Sequence, residues 1–179
     1  MNIGVFGSSL PREGEAAYEE AREIGRLIAR KEGRVVCGGY GGVMEAVCRG
    51  AAEAGGSSLG VILEGRLEVN RWVTRVSAEP DLSARLKRLR DASDAWVFLA
   101  RGLGTMLELV WVSESVVNGD TSPRPFVLLG DYWRAIVEKA IAEASRLPGA
   151  EALRASLAVC STPAEAVEAA FAPESLARK

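Results

Sequence analysis

Ala95-Trp96-Val97-Phe98-Leu99-Ala100-Arg101-Gly102-Leu103-Gly104-Thr105-Met106-Leu107-Glu108 decides how the rest of the chain is read. Its first five residues are apolar without alternation, the pattern of a strand buried on both faces. Two glycines break the run, and a helical pattern follows from Thr105 to about Val117. A strand, a glycine turn and a helix start present unpaired backbone N–H groups and a positive dipole end to an anion. Glu108 stands a short way into that helix, within reach of whatever the turn holds. The segment points to a phosphorylated small molecule, and to its cleavage.

The same alternation extends in both directions. Toward the N-terminus, Ile3–Phe6 reads as a strand with the turn Gly7-Ser8-Ser9 after it, then an amphipathic helix around Glu13–Lys31 closed by Gly33. Arg34–Cys37 is a second strand, Gly38-Gly39-Tyr40-Gly41-Gly42 a glycine-dense turn, Val43–Ala54 a helix and Leu59–Leu63 a third strand. Residues 64–80 are the least regular, with an extended piece at Trp72–Val76. Asp81 or Ser83 can cap a basic helix from Leu82 to Ala92. Toward the C-terminus, strand Phe126–Leu129, helix Tyr132–Arg146, strand Leu157–Cys160 and a helix opened by Thr162-Pro163 complete the order. Strands that are apolar throughout, alternating with helices, predict a single doubly wound, Rossmann-like parallel sheet covered on both faces. Ligands of such sheets bind beyond the carboxyl ends of the strands, where the turns 7–9, 38–42 and 100–105 fall.

The bulk composition narrows the chemistry. The 179 residues are 48% apolar with a net charge of −2, and the two signs of charge are interleaved. That leaves no basic surface for a nucleic acid polymer, and no apolar run reaches membrane-spanning length. With no leader pattern at its start, the chain is expected in the cytoplasm. It contains no histidine, which excludes Ser-His-Asp and Cys-His nucleophile systems and argues against a catalytic zinc. Cys37, Cys48 and Cys160 lack metal-ligand spacing and read as small buried hydrophobes. No metal and no resident cofactor are expected.

Each motif has a structural reading beside the functional one. The dinucleotide and P-loop fingerprints both fail, because Leu107 stands where a third glycine is needed and no Gly-Lys-Ser/Thr occurs. Four glycines in residues 38–42 exceed what one tight turn requires, which favours a backbone lying flat against a ligand. Thr105-x-x-Glu108 has the spacing of a capping box. Arg85, Lys87, Arg88 and Arg90 have the look of a solvated basic helix face.

Taken together, these residues resemble the LOG-like family, related to the molybdenum cofactor carrier proteins. The similarity covers about residues 2–145, through Val5-Phe6-Gly7-Ser8-Ser9, Gly38-Gly39-Tyr40-Gly41-Gly42-Val43-Met44-Glu45, Ser93-Asp94-Ala95-Trp96-Val97 and the signature Pro-Gly-Gly-x-Gly-Thr-x-x-Glu at 100–108. The resemblance implies a phosphoribohydrolase that cleaves the N-glycosidic bond of a nucleoside 5′-monophosphate, releasing a base and ribose 5-phosphate. It implies Glu108 and Arg85 as the catalytic pair. It places the ligand against Gly7, Ser8, Ser9, Gly38, Gly39, Gly41, Gly42, Glu45, Arg101, Gly102, Gly104 and Thr105. It also implies a homodimer, consistent with the excess of apolar residues in Leu107–Val117. The older lysine decarboxylase label finds no support, since none of Lys31, Lys87, Lys139 and Lys179 lies in a ligand turn.

Two departures stand out. Ala100-Arg101 replaces the Pro-Gly of the signature, and Leu86 replaces a basic residue after the arginine. Arg101 can add a phosphate contact or fill the pocket. The alternative function is a non-catalytic carrier for a phosphorylated ligand such as molybdenum cofactor. A structural relic, its glycines serving turns alone, is a third reading.

Overall fold

The computed structural model describes residues 1–66 and 68–172. Seven strands, β1 (Asn2–Phe6), β2 (Arg34–Cys37), β3 (Ser57–Leu63), β4 (Arg75–Glu79), β5 (Ala95–Phe98), β6 (Phe126–Leu129) and β7 (Leu157–Cys160), form one sheet in the order β4-β3-β2-β1-β5-β6-β7. All six pairings are parallel. The helices are α1 (Ala16–Arg30), α2 (Val43–Glu53), α3 (Leu82–Asp91), α4 (Leu103–Val117), α5 (Arg134–Glu143), α6 (Pro148–Ser156) and α7 (Pro163–Phe171). This is the expected Rossmann-like α/β architecture. The strand order reverses between β1 and β5, so the crevice for a ligand lies at the ends of those two strands.

The pleat explains the uninterrupted apolar strands. In β5, Ala95 and Val97 join a core that α1, α2 and α7 cover, while Trp96 and Phe98 join the one under α4, α5 and α6. Both faces are dry, so neither can carry a polar residue without a partner. In the first core the Cys37 and Cys48 thiols meet at 3.4 Å.

Several boundaries differ from expectation for identifiable reasons. β4 begins at Arg75 rather than Trp72, because the Ser58 and Thr74 side chains cross-bond the chain just ahead of the first register pair, Leu59 with Arg75. The helix expected to run to Arg146 stops at Glu143, and a separate α6 starts at Pro148. Gly149 lets α6 lie on the end of α4, since a Cβ there would fall 2.3 Å from the Val117 carbonyl. α1 ends through a left-handed residue that is Glu32, at φ 56°, and not Gly33. Gly33 is a glycine for space: its Cβ would lie 2.7 Å from the Phe171 ring.

Candidate functional site

Ser8 is where the three turns meet. Its carbonyl accepts a hydrogen bond from Val43 N–H at 2.9 Å, which fixes the start of α2. A Cβ on Gly42, at φ 66°, would stand 2.5 Å from that same carbonyl, and one on Gly102, at φ 101°, would stand 3.1 Å from Ser8 Cα. Gly7 is confined in the same way by the Val43 side chain, 2.5 Å from its missing Cβ. These glycines let the backbones touch. Gly41 and Gly104 are different: a Cβ on Gly41 would make only an ordinary contact, 3.9 Å from the Ser9 carbonyl, and none lies within 4 Å on Gly104, which faces open space.

The capping-box reading of Thr105 and Glu108 does not hold. α4 begins at Leu103 with Gly102 as its N-cap, so Thr105 is already inside the first turn. The Thr105 hydroxyl is buried, turned back to within 2.9 Å of where a Cβ on Gly102 would sit, and without a hydrogen-bond partner. A buried polar atom left unpaired costs about 1–3 kcal/mol. A ligand oxygen in the crevice at the helix start would satisfy it.

Arg85 and Glu108 converge one turn deeper, each only 9% exposed. Asp81 caps α3 by accepting from Ala84 N–H at 2.8 Å, and α3 brings Arg85 against β3. There its Nε donates to the Val61 carbonyl at 2.9 Å and its guanidinium lies 5.5 Å from the centre of the Tyr40 ring. Gly38 owes its identity to this arginine, whose Nη2 sits 2.2 Å from where a Cβ would be. Arg85 Nη1 is 3.8 Å from Glu108 Oε1, an ion-pair distance beyond hydrogen-bond length. Burial pushes the Glu108 carboxyl up to about 7, with Arg85 pulling it partly back. A titratable carboxylate held near neutrality beside a fixed cation is suited to acid–base or charge-stabilising work.

Other expected site residues are placed less centrally. Glu45 is half-buried on the first turn of α2, where Tyr18 Oη lies 3.4 Å from its Oε1. Ser9 is exposed and Gly39 adopts φ 76°. Arg101 neither fills the crevice nor pairs with a carboxylate among the described residues; it is exposed, its guanidinium 5.8 Å from the Tyr132 ring centre. Leu86 is buried, which accounts for an apolar residue there.

Two residues escaped the sequence reading. Asn70 Nδ2 donates to the carbonyls of Gly39 and Tyr40 at 3.1 and 2.9 Å, clamping the second glycine turn from outside. Tyr40 stacks on Arg85 while its hydroxyl accepts from Leu63 N–H at 3.0 Å. Among the described residues no group of three or more His, Cys, Asp or Glu is placed to hold a metal, and no helix is long and apolar enough to cross a membrane.

Comparison with known proteins adds an independent line. The family model described as the SLOG cluster4 family matches residues 1–118. A cytokinin riboside 5′-monophosphate phosphoribohydrolase from Rhodococcoides fascians is 29% identical over 186 positions, covering 96% of this chain and 90% of that protein. A rice protein (Oryza sativa subsp. japonica) named "Probable cytokinin riboside 5′-monophosphate phosphoribohydrolase" is 32% identical over 150 positions, covering 79% of this chain and 66% of its own length. Among solved structures, the molybdenum cofactor carrier protein of Chlamydomonas reinhardtii superposes with a TM-score of 0.73 at 27% identity, covering 94% of both chains.

Proposed function

Because the chain belongs to the SLOG cluster4 family, we propose that it hydrolyses the N-glycosidic bond of a nucleoside 5′-monophosphate in the cytoplasm, releasing adenine or a cytokinin-like base and ribose 5-phosphate. The observation that carries this reading is the buried Arg85–Glu108 pair, set beside the crevice where Ser8, Gly42 and Gly102 converge. The 5′-phosphate would lie at the start of α4, taking the Thr105 hydroxyl and the free N–H groups of the first turn. Breaking a ribosyl C–N bond develops positive charge at the sugar, which ionised Glu108 would stabilise while orienting water or the ribose hydroxyls. Arg85 would hold a phosphate or sugar oxygen through its fork of donors. Gly104, which faces open space, and the uncrowded Gly41 would give the ligand close access to the backbone.

Incubation of the purified chain with AMP and related nucleotides tests the reading. Free base should be released, and release should fall at least about a hundredfold in Glu108→Gln. No base from any nucleotide at high enzyme concentration would refute it. The carrier reading is favoured by one observation, Arg101 in the signature turn of a chain whose fold matches a cofactor carrier. Tight retention of a phosphorylated pterin without turnover would establish that function instead.

We further propose a homodimer built on α4. Leu103 is 84% exposed, and Met106, Leu107 and Val110 follow at helical spacing on the same outer face.

A further inference from the structure

A guanidinium carries five N–H donors. Among the described residues Arg85 makes one hydrogen bond with them, from Nε to the Val61 carbonyl at 2.9 Å. Glu108 is not a second, because Nη1 stands 3.8 Å from its carboxylate. Something other than hydrogen bonding must therefore keep the Nη groups in place. Gly38 leaves room for Nη2 by having no Cβ. The Tyr40 ring supplies the restraint, its centre 5.5 Å from the guanidinium carbon and within cation–π range.

A ring can hold a cation only if it is itself held. Tyr40 lies in a turn with four glycines in five residues, whose backbone has much freedom to lose. Two anchors remove that freedom. The Tyr40 hydroxyl accepts from Leu63 N–H at 3.0 Å, two residues along β3 from the carbonyl that holds Arg85. At the backbone end, Asn70 Nδ2 donates to the Gly39 and Tyr40 carbonyls at 3.1 and 2.9 Å, and Asn70 N–H donates to the Gly39 carbonyl at 2.9 Å. Asn70 is fixed in turn, its Oδ1 accepting from Trp72 N–H at 3.1 Å. Ring and guanidinium thus hang from the same strand.

We infer that Tyr40 is a positioning residue: its ring, anchored by β3 and by Asn70, fixes the Arg85 guanidinium beside Glu108. Its effect on base release rests on the hydrolysis proposed above; its effect on the Glu108 carboxyl does not. Among the described residues Arg85 is the one charged group that bears on that carboxyl, and it opposes the rise caused by burial. A guanidinium free to swing away would oppose it less.

The test is a pH titration of the Glu108 carboxyl followed by isotope-edited NMR, with base release from AMP measured alongside. The chains are the native one, Tyr40→Phe, Tyr40→Leu, Asn70→Ala, Arg85→Gln and the double variant of Tyr40→Leu with Arg85→Gln. The native midpoint is expected near 7. Tyr40→Leu should raise it by at least about 0.5, and Asn70→Ala should move it the same way. Tyr40→Phe keeps the ring and the Asn70 clamp, and should move it by less than about half as much. In the Arg85→Gln background Tyr40→Leu should add nothing, since it acts through the arginine. Base release should fall about tenfold in Tyr40→Leu and less in Tyr40→Phe. A Tyr40→Leu midpoint equal to the native one, or a shift that persists without Arg85, overturns the inference. The expected midpoints with no base released by any chain refute the hydrolysis and leave the positioning intact.

Discussion

Glu108 keeps its proton up to about pH 7 because its surroundings are dry and Arg85, at 3.8 Å, only partly compensates. Between the ordinary carboxylate value of 4.5 and about 7, the native chain holds a proton that the unfolded chain has released. Stability therefore falls as pH rises through that window, by about 3 kcal/mol at most, and is untouched below it. Glu108→Gln removes this penalty. It should melt higher than the native chain at pH 8, by about 1–3 kcal/mol, and nearly equally at pH 4.5, as read by thermal denaturation at the two pH values. Under the proposed mechanism base release requires ionised Glu108, so it should rise with pH and inflect near 7. Gly38→Ala tests the same pair from the other side. Its methyl would displace Arg85 Nη2 from a position 2.2 Å away, at about 1–3 kcal/mol, and should reduce base release about as much as Arg85→Ala does. Wild-type rates in both Gly38→Ala and Arg85→Ala would remove Arg85 from the mechanism.

At the scale of elements, strands were legible because two-sided burial leaves a continuous apolar run, as in β5 and β6. β4 was read three residues early: it is an edge strand, its residues half-exposed or exposed, and lacks that run. Caps were readable where a side chain does the capping. Thr162 accepts from Glu165 N–H at 3.2 Å, as the local sequence suggested, so Thr162→Ala should destabilise the chain by about 1 kcal/mol in chemical denaturation. The start of α4 was missed because Thr105-x-x-Glu108 copies a capping box, and only the path of the turn shows Gly102 in the cap position. Asn70 was unreadable for a related reason: it acts across 31 residues on a backbone carbonyl, and no local pattern records such a bond. The C-terminal turn of α1 offers a stability test. Replacing Glu32, at φ 56°, with glycine should raise stability by about 0.5–1 kcal/mol by relieving the left-handed backbone, measurable by urea denaturation.

For the whole molecule, the exposed row Leu103, Met106, Leu107 and Val110 predicts self-association. Light scattering should give twice the 19.0 kDa chain mass, and Leu107→Glu should return it to the single-chain value. A native chain of single mass at micromolar concentration would dismiss the dimer. The junction at Ser8 reaches further. Neither Gly42 nor Gly102 has room for a methyl group against it, so the three connections at the sheet's carboxyl edge are in direct backbone contact. We expect them to open together rather than one at a time. In hydrogen exchange, the amides of residues 8–10, 41–43 and 102–105 should therefore share one opening rate, and a bound anion should slow all three groups by a common factor.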